Sequence, residues 1–172
     1  MAVFNSCAHL VDGAAEATAK YESVIQAKGN PFDTMIEMQR SLQKKLAKEK
    51  PEFNQDPDSL DTAGKVLDWL RAQDDSIADE TRELYTSLGG MSNGEKEASA
   101  VWKAWKSRHK ELRETRIQDM SQEDQLEIKF ELVDQMHFFI NKMIALGIDA
   151  QEMFELYYLK NKENFARQER NY

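Results

Sequence analysis

The sequence predicts an all-α protein, a helical bundle of about six helices, and three observations carry that expectation. Only 7 glycines and 3 prolines punctuate the 172 residues, too few for the many turns of a β-sandwich or barrel. Apolar residues recur at spacings of three and four, and no stretch shows convincing β-branched alternation. Turn and capping signals cut the chain into segments of helical length. With 41% apolar residues, the chain is long enough for one domain, residues 1–172, built around a core.

The first helical segment is expected from about Cys7 to Ala27, ending at the turn signal Gly29-Asn30-Pro31. The second, Asp33 to about Lys48, places Met35, Met38, Leu42 and Leu46 on one face. A polar, proline-containing loop follows. The third, about Leu60 to Leu88, contains Trp69 and ends at Gly89-Gly90. The fourth is expected from near Gly94, past Trp102 and Trp105, to about Met120. Ser121 with Asp124 and Asp149 with Glu152 resemble capping boxes, and they open a fifth segment running to Gly147 and a sixth running toward Arg167.

A single cysteine, Cys7, excludes a disulfide framework and points to a reducing compartment, the cytoplasm. The N-terminus has no basic leader followed by an apolar run. The richest apolar run, Phe138 to Leu146, contains Lys142 and falls well short of the ~18 residues that a membrane span requires. Net charge is −8, which opposes a nucleic-acid backbone as the main partner. A small polyanion stays compatible with that charge, because carboxylates that hold divalent cations invert their own local field.

The fifth segment is the most informative. Glu131, Asp134 and Asn141 fall within about 80° of one another on a helical projection, a polar line on a largely apolar rod. A buried carboxylate needs a partner, either an arginine or lysine or a divalent cation. Glu80 and Glu83 form a second pair, three residues apart on the third segment. Two such pairs would offer four oxygen ligands, a set suited to Mg²⁺ or Mn²⁺ rather than zinc or copper. Glu-x-x-Glu also occurs on many solvated helix faces. His137 follows Asp134 by three, but His9 and His109 supply no second Glu-x-x-His motif, which disfavours a di-iron site.

Other candidates surround this set. Lys160, Asn164 and Arg167 lie within about 60° on the sixth segment, a stripe of donors suited to phosphate oxygens or simply an exposed charged face. Trp102 and Trp105 flank Lys103, an aromatic wall with a phosphate-facing lysine or else core tryptophans. Gln39 and Gln43 share a face of the second segment and have amides able to read a base edge.

Taken in order, Met38-Gln39 with Gln43, Glu80 with Glu83, WKAWK, ELVDQMHFF and the tail KNKENFARQERNY resemble the all-α nucleotide pyrophosphatase superfamily at its dimeric dUTPase branch. The likeness is closer still to the T-even-like bacteriophage members that act on dCTP, and it extends from Met1 to Tyr172. The resemblance implies that Glu80, Glu83, Glu131 and Asp134 bind two or more Mg²⁺, with Mn²⁺ as a substitute. Lys103, Lys160, Asn164 and Arg167 then match phosphate-contacting positions, Trp105 the aromatic beside them, and Gln39 the base-side glutamine. Gln43 stands where dUTPases usually carry asparagine, and Asn171-Tyr172 replaces their closing Gly-Tyr.

The implied activity is cleavage of dCTP, and also of dUTP and the diphosphates, to the monophosphate. It empties the cytosine nucleotide pool in the host-cell cytoplasm for phage DNA synthesis. Such hydrolysis needs charge neutralisation and an aligned water, with Glu80 or Glu83 as the group that orients or deprotonates it. A homodimer is implied as well, with other phage nucleotide-metabolism enzymes as further partners. Two competing readings are a plain dUTPase and a non-catalytic helical subunit of a nucleotide-synthesis assembly.

Overall fold

A 3-10 stretch, Cys7–Gly13, leads into α1 (Ala14–Gln26), where the sequence predicts one continuous helix. The computed structural model describes residues 7–52, 54–89, 104–107 and 110–170. Among them are five long helices, one short helix and no strand, so the expected all-α class is observed. α1 ends in a Schellman motif. Gly29 N–H donates to Val24 O and Lys28 N–H to Ile25 O, both at 2.9 Å. The left-handed residue of this turn is Lys28, at φ 55°, and not Gly29.

α2 (Pro31–Glu49) starts at Asn30, whose side chain accepts from Phe32 N–H, with Pro31 at the first helical position. A 3-10 turn at Pro57–Ser59 lies against α2, where Asp58 pairs with Arg40 and Lys44. α3 (Ala63–Leu88) begins after Thr62, whose Oγ1 accepts from Lys65 N–H at 3.3 Å. The fourth expected segment is not one helix in its described part. Residues 104–105 form a turn, α4 is only Lys110–Glu114, and a 3-10 turn follows at Ile117–Asp119. Lys103 and Trp102 lie outside the described residues, as does Asn171-Tyr172.

α5 (Gln122–Leu146) and α6 (Ala150–Glu169) begin where the sequence signals place them. Ser121 Oγ accepts from Asp124 N–H at 3.0 Å and donates to the Asp124 carboxylate at 2.7 Å. Asp149 accepts from Glu152 N–H at 2.8 Å. Gly147, at φ 71°, ends α5 in a second Schellman motif, with Ile148 N–H donating to Met143 O.

By internal contacts the chain falls into two compact units, residues 1–19 with 71–139 and residues 20–70 with 140–172. α3 and α5 each contribute to both. The second unit has a hydrocarbon core of Ile36, Trp69, Ile140, Met143, Ile144 and Ala150. Full burial of a side chain the size of Ile140 contributes about 1.5–3 kcal/mol. In the first unit the buried side chains are polar instead, namely Gln73, Ser87, Asp124, Glu127 and Glu131, with no apolar side chain equally buried among the described residues.

The periodic apolar face of α2 does not point inward. Met35, Met38 and Leu42 are exposed, whereas Ile36, Gln39 and Gln43 are buried. Gln39 can turn inward because it finds a polar partner there in Asn141, and the methionine stripe is left on the outside. No described helix is long and apolar enough to cross a membrane.

Candidate active site

α3 and α5 present their acidic residues to one another within the first unit. One carboxylate oxygen from each of Glu80, Glu83 and Glu131 lies within 4.8 Å of the other two. Glu131 is buried, Glu80 half-buried and Glu83 exposed. The cluster therefore runs from the interior to the surface, as a site that must admit a soluble ligand requires. It brings together three of the four carboxylates expected to bind metal.

Asp134 stands beside the cluster and not inside it. Its Oδ1 lies 3.4 Å from Nδ1 of His137, one turn further along α5. Its charge nevertheless reaches both neighbours, because it helps to raise the affinity of Glu80 and Glu131 for protons.

The electrostatics follow from crowding. Burial, then the charges of Glu83, Glu80, Asp134 and Glu127, push the Glu131 carboxyl up to about 8. Burial and the Glu83 and Asp134 charges also raise Glu80, opposed by a hydrogen bond from Glu131. At neutral pH the metal-free cluster thus holds a proton on Glu131, shared toward Glu80. Carboxylates packed this closely need either protons or a cation to coexist.

Glu127 belongs to the same environment and escaped the sequence reading. It is buried one turn before Glu131 and adds to the field that raises it. Its signal was present, since a residue four positions before Glu131 lies only about 40° from it on the helix.

The donor set tests the metal expectation. Hard oxygen ligands without sulfur or an obligatory imidazole suit Mg²⁺ or Mn²⁺, and a divalent ion would relieve the repulsion that now forces a proton onto Glu131. The residues fit that ion.

The remaining candidates are distributed as follows. Trp105 is 77% exposed in the turn at 104–105, so it is not a core tryptophan. Lys160, Asn164 and Arg167 are exposed on α6. Arg167 Nε donates to Glu163 at 3.1 Å, and Arg170 reaches the same carboxylate. Gln39 and Gln43 are buried in the second unit, unlike ordinary surface glutamines. Gln39 Nε2 donates to Asn141 Oδ1 at 2.9 Å.

No protein-family model and no solved structure matches the chain. Comparison with curated proteins is decisive in a different way. The chain is 66% identical over 172 residues to the dCTP pyrophosphatase of Enterobacteria phage LZ5, with all of both chains covered. It is 55% identical to the dCTP pyrophosphatase of Enterobacteria phage T4, again over the full length of both. It is also 56% identical over 162 residues to a phage T4 DNA replication protein, a match that takes up 94% of this chain and 41% of that longer protein. End-to-end identity at this level, over the helices that assemble the acidic cluster, means that the chain belongs to the family of phage dCTP pyrophosphatases.

Proposed function

We propose that this protein hydrolyses dCTP to dCMP and pyrophosphate in a Mg²⁺-dependent reaction, and that it accepts dUTP and the diphosphates as well. The observation that carries the reading is the convergence of Glu80, Glu83 and Glu131 within 4.8 Å in a chain whose full-length relatives are dCTP pyrophosphatases. The residues 1–172 act as one pyrophosphatase domain.

Glu80, Glu83 and Glu131 would hold the metal, with Asp134, beside them on α5, completing the set. When bound, Mg²⁺ supplies charge neutralisation on the phosphate oxygens and acidifies the water it carries. Glu80 or Glu83 orients the attacking water and takes its proton as the new P–O bond forms and the phosphoanhydride breaks. Lys103, Lys160, Asn164 and Arg167 bind phosphate oxygens and stabilise the charge that accumulates on them. Trp105, a broad exposed ring, packs beside the nucleotide. Gln39 and Gln43 read the pyrimidine through their amides. Removal of dCTP from the pool used for phage DNA synthesis, in the host-cell cytoplasm, is the role this chemistry serves.

The active form is a homodimer. Two observations favour a second copy over a lone chain. The first unit has no fully buried hydrocarbon side chain among its described residues. On α6, Phe154, Tyr157, Tyr158 and Phe165 are all exposed, and they fall within about 100° of one another, an aromatic stripe that water alone covers poorly.

Incubation with dCTP and Mg²⁺, with product identity read by chromatography, tests the activity. dCMP and pyrophosphate are expected, and chelation of divalent ions abolishes them. Glu131→Gln should be at least ~100-fold slower while circular dichroism shows the helices retained. Full activity in that variant would remove the metal assignment. Absence of turnover, together with a melting temperature indifferent to Mg²⁺ and dCTP, would favour the non-catalytic subunit instead.

A further inference from the structure

Along α5 the residues Glu127, Glu131 and Gln135 follow one another at intervals of four, each about 40° further round the helix and about 6 Å further along it. All three belong to the first unit. Gln135 therefore lies on nearly the same face as Glu131, the residue through which α5 meets Glu80 and Glu83. Glu127 and Glu131 are buried. Gln135 is half-buried as a residue, but its amide nitrogen is enclosed and has no hydrogen-bond partner. No other buried side-chain nitrogen or oxygen among the described residues is left in that condition.

Enclosing a donor without an acceptor is costly, and such a donor calls for a partner. With carboxylates on the same face, the local field favours the donor end of the amide pointing inward over the acceptor end. The nearest acceptor on that face is Glu131, since side chains four residues apart on a helix are neighbours. In the metal-free cluster Glu131 is directed at Glu80, to which it is hydrogen-bonded. A divalent cation bound to both carboxylates takes the place of that bond. Glu131 can then reorient, with a lone pair to spare for a donor on its own helix, as ligating carboxylates generally have.

We propose that Gln135 is a positioning residue for metal binding: in the cation-loaded site its amide donates to Glu131 and fixes how that carboxylate faces the ion. The inference rests on the reading of the acidic cluster as a Mg²⁺ site. It accounts for an uncharged amide at a position where a further carboxylate would add to the crowding and an apolar side chain would leave Glu131 unsupported.

The test uses the full-length protein at a fixed pH, with Mn²⁺ as the probe because its binding is read directly by electron paramagnetic resonance. Gln135→Met keeps roughly the length and volume of the side chain and removes the amide. Its dissociation constant for Mn²⁺ should rise about tenfold or more, the usual effect of removing a hydrogen bond that supports a ligand. The chelated variant should melt no lower than the chelated wild type, because the donor removed had no partner there. Should methionine not be accommodated, Gln135→Leu carries the same comparison.

A purely structural amide would show the reverse, a lower melting temperature without metal and an unaltered affinity for it. Either of those results in a folded variant overturns the proposal. Unaltered affinity together with a shift toward lower mass in sedimentation overturns it too, and assigns the donor to a second copy of the chain. A wild type that binds no Mn²⁺ is a different failure, since it removes the reading of the cluster as a metal site and the proposal along with it.

Discussion

Glu131 concentrates the conflict of this molecule in one carboxyl group. It is buried on α5 among Glu80, Glu83, Asp134 and Glu127, and its pKa is pushed from 4.5 to about 8. Between those values the folded, metal-free protein holds a proton that the unfolded chain releases. Stability then falls as pH rises, because the native state binds more protons than the unfolded state across that window. The contribution is fully present below about pH 4.5 and is lost as pH rises through about 8. Urea titrations of the chelated protein across this range should show the decline, with a slope of at most about 1.4 kcal/mol per pH unit from this group. In Glu131→Gln that slope should vanish, and at pH 8–9 the metal-free variant should be more stable than the wild type. Saturating Mg²⁺ should flatten the wild-type dependence, because the ion replaces the proton. A slope indifferent to both the substitution and the metal would mean that Glu131 is not in the crowded environment described.

At the scale of the elements, the helix ends explain why the rods begin and stop where they do. Asn30, Thr62, Ser121 and Asp149 each satisfy a main-chain N–H at a helix start, and Gly147 closes α5 in the left-handed conformation at no steric cost. Lys28 is the exception. It occupies the same left-handed position at the end of α1, with φ 55°, and a side chain there costs about 1 kcal/mol relative to glycine. Lys28 makes no use of its side chain in the turn, since both closing bonds are main-chain bonds. Lys28→Gly should therefore raise stability by about 0.5–1 kcal/mol without touching activity, as measured by thermal or urea unfolding. A loss of stability would show that the lysine side chain has a role outside the turn.

For the molecule as a whole, the uncovered apolar surface poses the larger physical question. Met35, Met38 and Leu42 face outward on α2, and the aromatic stripe of α6 is more exposed still, with Phe154 at 69%. Soluble monomers rarely leave contiguous aromatic surface of this kind to water. For the homodimer proposed above, sedimentation at micromolar concentration should give twice the mass of 19.9 kDa. Phe154→Glu should shift that equilibrium toward the monomer and lower the melting temperature. A wild-type monomer at the same concentration would show that the stripe serves some other partner.

Sequence by itself determined the all-α class and the starts of α5 and α6, together with the shared helix face of Glu80 and Glu83. Those features are local. Capping chemistry acts within four residues, and helical periodicity puts residues three or four apart on one face whatever surrounds them. Only the tertiary structure decided which face of α2 points inward, that Asp134 stands beside the cluster and not in it, and that Glu127 adds to its field. It also decided the partner of Gln39, since Asn141 lies 102 residues away along the chain. Burial and charge crowding depend on what the other helices bring within a few ångströms, and no spacing along one helix encodes that distance.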